Sequence, residues 1–202
     1  MVKGKSKRTA SIERKTKETN IQMALNLDGQ GKYTITTAIP FFDHMLSLMC
    51  KHGLFDMRLR AKGDLEVDFH HTVEDVGIVF GKALQKALGK MEGINRYGQA
   101  SVPMDEALAS VSLDICGRPY LVYRVAVPKR SKIRNFDPDL IEDFLQAFVS
   151  NSRITLHIEA PYGRNTHHII EAVFKALGRA LRYAVILDPR VKGIPSTKNV
   201  LL

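Results

Sequence analysis

The sequence predicts an internally duplicated α/β (α+β) fold, each half a small, mainly antiparallel sheet covered by two helices. The main observation is a self-match. Shifted by 97 residues, 70–84 falls on 167–181, with His70, His71, Glu74, Val76, Gly81, Ala83 and Leu84 all meeting identical residues. Lys82 meets Arg179 and Val73 meets Ile170, so the likeness extends past identity. A second observation is that strand-like and helix-like patterns run through one order and then start again. The third is the absence of any Pro/Gly/Ser-rich linker in 202 residues. The halves, near 1–93 and 94–202, are therefore expected to pack as one compact unit.

The elements follow in order. Residues 11–27 mix β-branched and polar residues in near-alternation, "DGQGK" reads as a turn and "YTITTAI" as a second strand, together a hairpin. "PFFDHMLSLMCKHG" opens on Pro40, has helical apolar spacing and stops at Gly53, a C′ candidate. "LFDMRLRA" alternates as a strand. "HHTVEDVGIVFGKALQKALGKM" is a long helix with apolar residues at 76, 79, 80, 83, 84, 87 and 88. After "GINRYG", the strands "ALASVSLDIC" and "YLVYRVAV" flank the turn "GRP". "DPDLIEDFLQAFVSNS" is a helix with Asp137 as N-cap and Pro138 at its first position. "RITLHIEA" is a strand, and "HHIIEAVFKALGRALRYAV" is the second long helix.

Composition narrows the function. Hydrophobic residues at 45% and charged residues at 25% are globular values and exclude a disordered chain. Thirty Lys and Arg against 21 Asp and Glu leave a net charge of +9, which suggests anionic partners such as phosphorylated metabolites or nucleic acid. Part of the excess sits in "MVKGKSKRTASIERKTK", a stretch that reads as a solvated arm. Cys50 and Cys116 lack metal-type spacing and fit reduced core thiols, hence a cytoplasmic chain. Neither a signal-peptide block nor a membrane-length apolar run is present, so no membrane role is expected.

Chemistry concentrates in the histidines. His70 and His71 lie four and three residues before Glu74, as His167 and His168 do before Glu171, so each pair can share a helix face. Adjacent histidines on a helix diverge by roughly 100°, so one ion cannot easily take both imidazoles of a dipeptide. Two ions drawing on different motifs suit the pattern better. His44, at the start of the first short helix, and His157, in "ITLHIEA", are placed to join them. Six histidines and two glutamates make eight candidate ligands, four for each of two ions. Imidazole and carboxylate without thiolate suit Mn, Fe or Zn. A lone histidine is usually structural, and His52, beside Gly53 at a helix C-terminus, is read that way.

Basic residues give a weaker signal. Lys175 is four residues after Glu171 and shares its face. Arg118, in the "GRP" turn, can present a planar donor fork to phosphate oxygens. Arg96, Ser196 and Lys198 are scattered, and spacing alone leaves all of these as ordinary surface groups. The run Lys129, Arg130, Lys132 and Arg134 reads as an exposed loop. From the residues alone, two rivals stand beside a two-metal enzyme with a phosphorylated substrate. One is a two-metal hydrolase. The other is a basic RNA-binding module, disfavoured by the absence of Trp and the acidity of "DFHHTVED".

The motifs "FFDHML", "GDLEVDFHHTVEDVGI", "INRYG", "PMDEAL", "GRPYL", "ITLHIEAPYGRNTHHIIEAVFKALGRAL" and "PSTK" closely resemble those of the imidazoleglycerol-phosphate dehydratase family, from about Arg14 to the tail. The departures are Cys116, where "SGRP" is common, and Asn199, where "PSTKG" is usual. The resemblance implies a duplicated unit of the ribosomal protein S5 domain 2-like class. It implies dehydration of imidazole glycerol phosphate to imidazole acetol phosphate in histidine biosynthesis, with two Mn2+ ions per active site. His44, His70, His71, Glu74, His157, His167, His168 and Glu171 become the metal ligands by motif. Arg96, Arg118, Lys175, Ser196 and Lys198 become the phosphate binders. Glu18 matches a glutamate near the reacting carbons and becomes the acid/base for a route in which a metal-bound imidazolate expels the hydroxyl. A homo-oligomer is also implied, a 24-subunit cage of trimers with metals at subunit contacts and no nucleic-acid partner.

Overall fold

A computed structural model describes residues 8–128 and 133–201. The basic stretch before Arg8, and Lys129, Arg130 and Lys132 of the predicted loop, lie outside the described residues. The first half runs β1 (Thr9–Lys15), β2 (Thr19–Asn26), β3 (Tyr33–Thr36), α1 (Pro40–Gly53), β4 (Asp56–Gly63) and α2 (His70–Leu88). The second half runs β5 (Tyr97–Met104), β6 (Ala107–Asp114), β7 (Tyr120–Val125), α3 (Leu140–Ser152), β8 (Thr155–Tyr162) and α4 (Thr166–Val185). The strand orders β1-β2-β4-β3 and β5-β6-β8-β7 are one topology used twice, antiparallel except for β3 with β4 and β7 with β8. This is the internally duplicated α+β fold that the self-match predicts.

Each sheet is apolar on one face only. Ile21, Met23 and Leu25 of β2 point inward, whereas Asn20, Gln22 and Ala24 face out. The helices cover the inner faces, with α1 against α4 and α2 against α3, so the two halves meet helix on helix between the sheets. Phe144 of α3 packs edge-on to Phe42 of α1 at 5.2 Å and stacks with Phe174 of α4 at 5.8 Å. Phe80 of α2 stacks on Phe148 of α3 at 4.6 Å. Aromatic pairs of this kind add about 0.5–1.5 kcal/mol beyond their burial.

The repeated glycines sit at these helix crossings. A Cβ on Gly81 would stand 2.6 Å from the Phe148 carbonyl oxygen, and one on Gly178 would stand 2.4 Å from that of Met49. Close backbone approach therefore explains why the self-match includes them. Among the described residues no helix is long and apolar enough to cross a membrane.

Several elements differ from the expectation. The predicted hairpin through "DGQGK" does not form. Instead β1 and β2 pair through the turn at residues 16–18, and β3 lies at the opposite edge, parallel to β4. That turn is closed by a side chain: Thr16 Oγ1 accepts from the amides of Glu18 at 3.1 Å and Thr19 at 2.9 Å. A threonine-closed turn carries no Gly or Pro to mark it. Strand β5 was not expected, because Gly98 and Pro103 interrupt its pattern; it is an edge strand, where proline is tolerated. The strands flanking "GRP" are not neighbours, since β8 lies between them. The left-handed residue ending α1 is Leu54 (φ 57°), not Gly53. Helix α3 begins at Leu140, after a tighter turn in which the Asp137 side chain accepts from the Asp139 amide.

Candidate metal centre

Both histidine dipeptides open their long helices. The Asp68 side chain accepts from the His70 amide at 2.7 Å, and the equivalent Asn165 accepts from the His167 amide at 2.9 Å. These bonds satisfy donors that a helix start otherwise leaves unpaired. The neighbouring rings diverge as expected. His70 and His71 are inclined at 77° with centroids 6.1 Å apart, and His167 and His168 at 83° and 6.3 Å.

Three of the eight expected ligands converge. Glu171 Oε2 lies 3.1 Å from His167 Nε2 and 3.6 Å from His44 Nε2, and one donor atom from each residue falls within 4.8 Å of the others. His44 comes from α1 and the other two from α4, so the helix crossing between halves builds the group. Bonds of about 2.1 Å to one ion place adjacent donors about 3.0 Å apart at right angles and about 3.4 Å apart at tetrahedral angles. The two N–O separations match that spacing, so the residues present fit a small divalent cation. Glu171 is 7% exposed whereas the two imidazoles are about half open to solvent. The carboxylate is thus fixed, and the two imidazoles stand on its solvent side.

Lys175 reaches the same carboxylate from its other side, with Nζ 2.6 Å from Glu171 Oε1. Burial opposes ionisation of Glu171, but Lys175 and then His167 outweigh it and hold the pKa below the ordinary value. His52 lies close enough that Lys175 and Arg179, after its own burial, lower its pKa. It therefore borders the group although its sequence position read as purely structural.

The other expected ligands stay apart within one chain. His70 Nε2 is 3.9 Å from Glu74 Oε2, and its Nδ1 is 3.3 Å from Asp143 of α3. His71 Nδ1 bonds Asp64, and His168 Nδ1 bonds Glu106. His157 stands on the exposed face of β8, away from the helix layer. Among the described residues, only His44, His167 and Glu171 form a group of three, so a single chain does not assemble two sets of four. Glu18 is exposed in the β1–β2 turn. It adds to the raised pKa of His71, for which the Asp64 hydrogen bond is the main cause, so it lies near the α2 dipeptide. Beneath that turn, Asp75 is 6% exposed; it accepts from the Thr19 hydroxyl and pairs with Arg14 Nε at 2.9 Å.

A separate cleft of about 670 Å³ collects Arg96, Arg118, Ser196 and Lys198, together with Tyr97, Cys116 and the tail. Arg96 is fixed there by a fork on Asp114 (2.7 and 3.0 Å) and a bond to the Pro195 carbonyl, which also pins the tail. Its remaining N–H groups, the exposed Arg118 and Lys198 give the cleft anion-binding chemistry. Lys175 does not line this cleft. Another concavity, about 870 Å³ on the outer face of the first sheet, is lined by no histidine.

Comparisons with known proteins converge on one family. The imidazoleglycerol-phosphate dehydratase family model matches residues 37–181. The imidazoleglycerol-phosphate dehydratase of Pelobacter propionicus is 58% identical over 194 residues, covering 96% of this chain and 99% of that one. The crystal structure of the Staphylococcus aureus enzyme superposes with a TM-score of 0.81 at 38% identity, covering 89% of this chain and 99% of that one. The Pyrococcus furiosus enzyme, in complex with (S)-C348, gives 0.81 at 38%, covering 94% and 100%.

Proposed function

Since the chain belongs to the imidazoleglycerol-phosphate dehydratase family, a hydro-lyase family of histidine biosynthesis, we propose that it dehydrates D-erythro-imidazole glycerol phosphate to imidazole acetol phosphate with two Mn2+ ions per active site. The observation that carries the metal requirement is the convergence of His44, His167 and Glu171 on one point. His70, His71, Glu74, His157 and His168 complete the two sites through neighbouring copies of the chain in a 24-subunit cage of trimers. Their separation within one chain, with His157 exposed and the others partly open to solvent, supports that sharing.

When bound, the ions supply acidity to the substrate's imidazole N–H, so that ring electron density can expel the hydroxyl on the attached carbon. Glu18 removes the proton from the neighbouring carbon as general base, and the enol formed tautomerises to the ketone. One proton and one hydroxide leave, which is the water lost. Arg96, Arg118, Ser196 and Lys198 hold the phosphate, and their work is orientation. Lys175 holds Glu171 ionised and adds a positive charge beside that carboxylate.

The test is formation of imidazole acetol phosphate by the purified chain before chelation, after it, and after Mn2+ add-back. Loss and recovery of product are expected. Undiminished turnover of fully metal-free protein contradicts the reading.

A further inference from the structure

One histidine of each dipeptide is already held from behind. His71 Nδ1 lies 3.0 and 3.3 Å from the two oxygens of Asp64, and His168 Nδ1 lies 2.7 Å from Glu106 Oε2. The two histidines are equivalent under the repeat, but their carboxylates are not. Asp64 follows β4, and the residue that follows its counterpart β8 is Gly163; Glu106 sits in the β5–β6 turn, whose counterpart is the β1–β2 turn at residues 16–18. Two unrelated segments therefore put a carboxylate on the same ring nitrogen, and inheritance by duplication does not explain the coincidence.

Chance surface ion pairs are the plainer explanation, and burial argues against them. The four side chains are between 21% and 34% exposed, and Glu106 also accepts from the amides of Arg164 and Asn165 at 3.1 and 2.8 Å. It is a fixed acceptor at the entrance to α4. The contrast with the other histidines is consistent. His167 uses Nε2 towards Glu171, and His70 meets Asp143 with both side chains nearly half exposed.

A carboxylate on Nδ1 keeps the proton there and turns the Nε2 lone pair outward. At His168, Nε2 lies 3.7 Å from Asp105 Oδ2, beyond a hydrogen bond. We propose that Asp64 and Glu106 are positioning residues that present His71 and His168 as Nε2 metal donors, an inference that rests on the two-ion reading above.

Asp64→Ala and Glu106→Gln test it. In Glu106→Gln the amide oxygen can still serve the Arg164 and Asn165 amides, so its NH2 faces Nδ1 and favours the tautomer with its proton on Nε2. Both Asp64 oxygens face His71 Nδ1, so Asp64→Ala removes the acceptor outright. Mn2+ affinity, read by competition with a fluorescent chelator, should fall about 10- to 100-fold in each variant, with unchanged urea midpoints. Wild-type affinity in both variants overturns the proposal, and so does an affinity loss that only follows a lowered midpoint. A wild-type chain that binds no Mn2+ overturns the two-ion reading itself, whatever the variants do.

Discussion

Gly178→Ala sets two effects of opposite sign against each other. Alanine raises helix stability by about 1 kcal/mol over glycine. Its methyl group, however, would lie 2.4 Å from the Met49 carbonyl oxygen and 3.1 Å from the Gly53 amide nitrogen. Both are backbone atoms of α1, so no rotamer change relieves the overlap. Ordinary contact begins near 3.4 Å, which requires α1 and α4 to part by roughly 1 Å. The Phe42, Phe144 and Phe174 packing lies across that seam. A gap of this size forfeits about a quarter to a half of the dispersion energy of each contact it opens. Overpacking typically costs about 1–3 kcal/mol, and two unyielding backbone atoms put this site at the upper end. The net expectation is a loss of about 1–2 kcal/mol, or a Tm lower by about 2–8 °C for a chain of this size. Urea and thermal unfolding measure it. A variant as stable as the parent, or more so, would refute the close-crossing account of the repeated glycines.

Three further outcomes follow from other sites. Asp75→Ala should cost about 2–4 kcal/mol in urea unfolding, somewhat below the usual cost of breaking a buried pair, because Arg14 keeps 32% exposure. Glu18→Gln should lower turnover at least about 100-fold while leaving Mn2+ content intact; full turnover would rule out its acid/base role. The Cys50 thiol is pushed up to about 12 by burial, with the charge of Asp56 adding to it, from an ordinary value of 9.0. The unfolded thiol gives up its proton first, so this contribution to stability is full below about pH 9 and is lost as pH rises towards 12. Native protein at pH 8 should therefore leave Cys50 unmodified by a thiol reagent, and urea should release it.

Much of the architecture was legible because it is periodic. The HHxxE repeat marks the starts of α2 and α4, and the apolar spacing behind it gives their buried faces. What escaped was aperiodic. The β1–β2 turn is closed by a threonine hydroxyl, and β5 is an edge strand that tolerates Gly98 and Pro103. The pairing of β3 with β4, rather than β2, depends on a crossover that local sequence does not encode.

The site divides in the same way. Spacing along α4 brings His167, Glu171 and Lys175 together, but the arrival of His44 depends on how α1 crosses α4. Asp64 and Glu106 lie inside the motifs "GDLEVDFHH" and "PMDEAL", yet loop carboxylates carry no pattern that ties them to a histidine 7 or 62 residues away. Lys175 was grouped with the phosphate binders, and in this chain its nearest anion is Glu171.

The central claim is that metal ions join donors from different copies of the chain. Its most direct measurement is metal content together with sedimentation of the same sample before and after chelation. The account predicts two Mn2+ per chain in a large assembly, dissociation when the metal is removed, and reassembly on add-back. An assembly that keeps its full size after complete metal removal would contradict it.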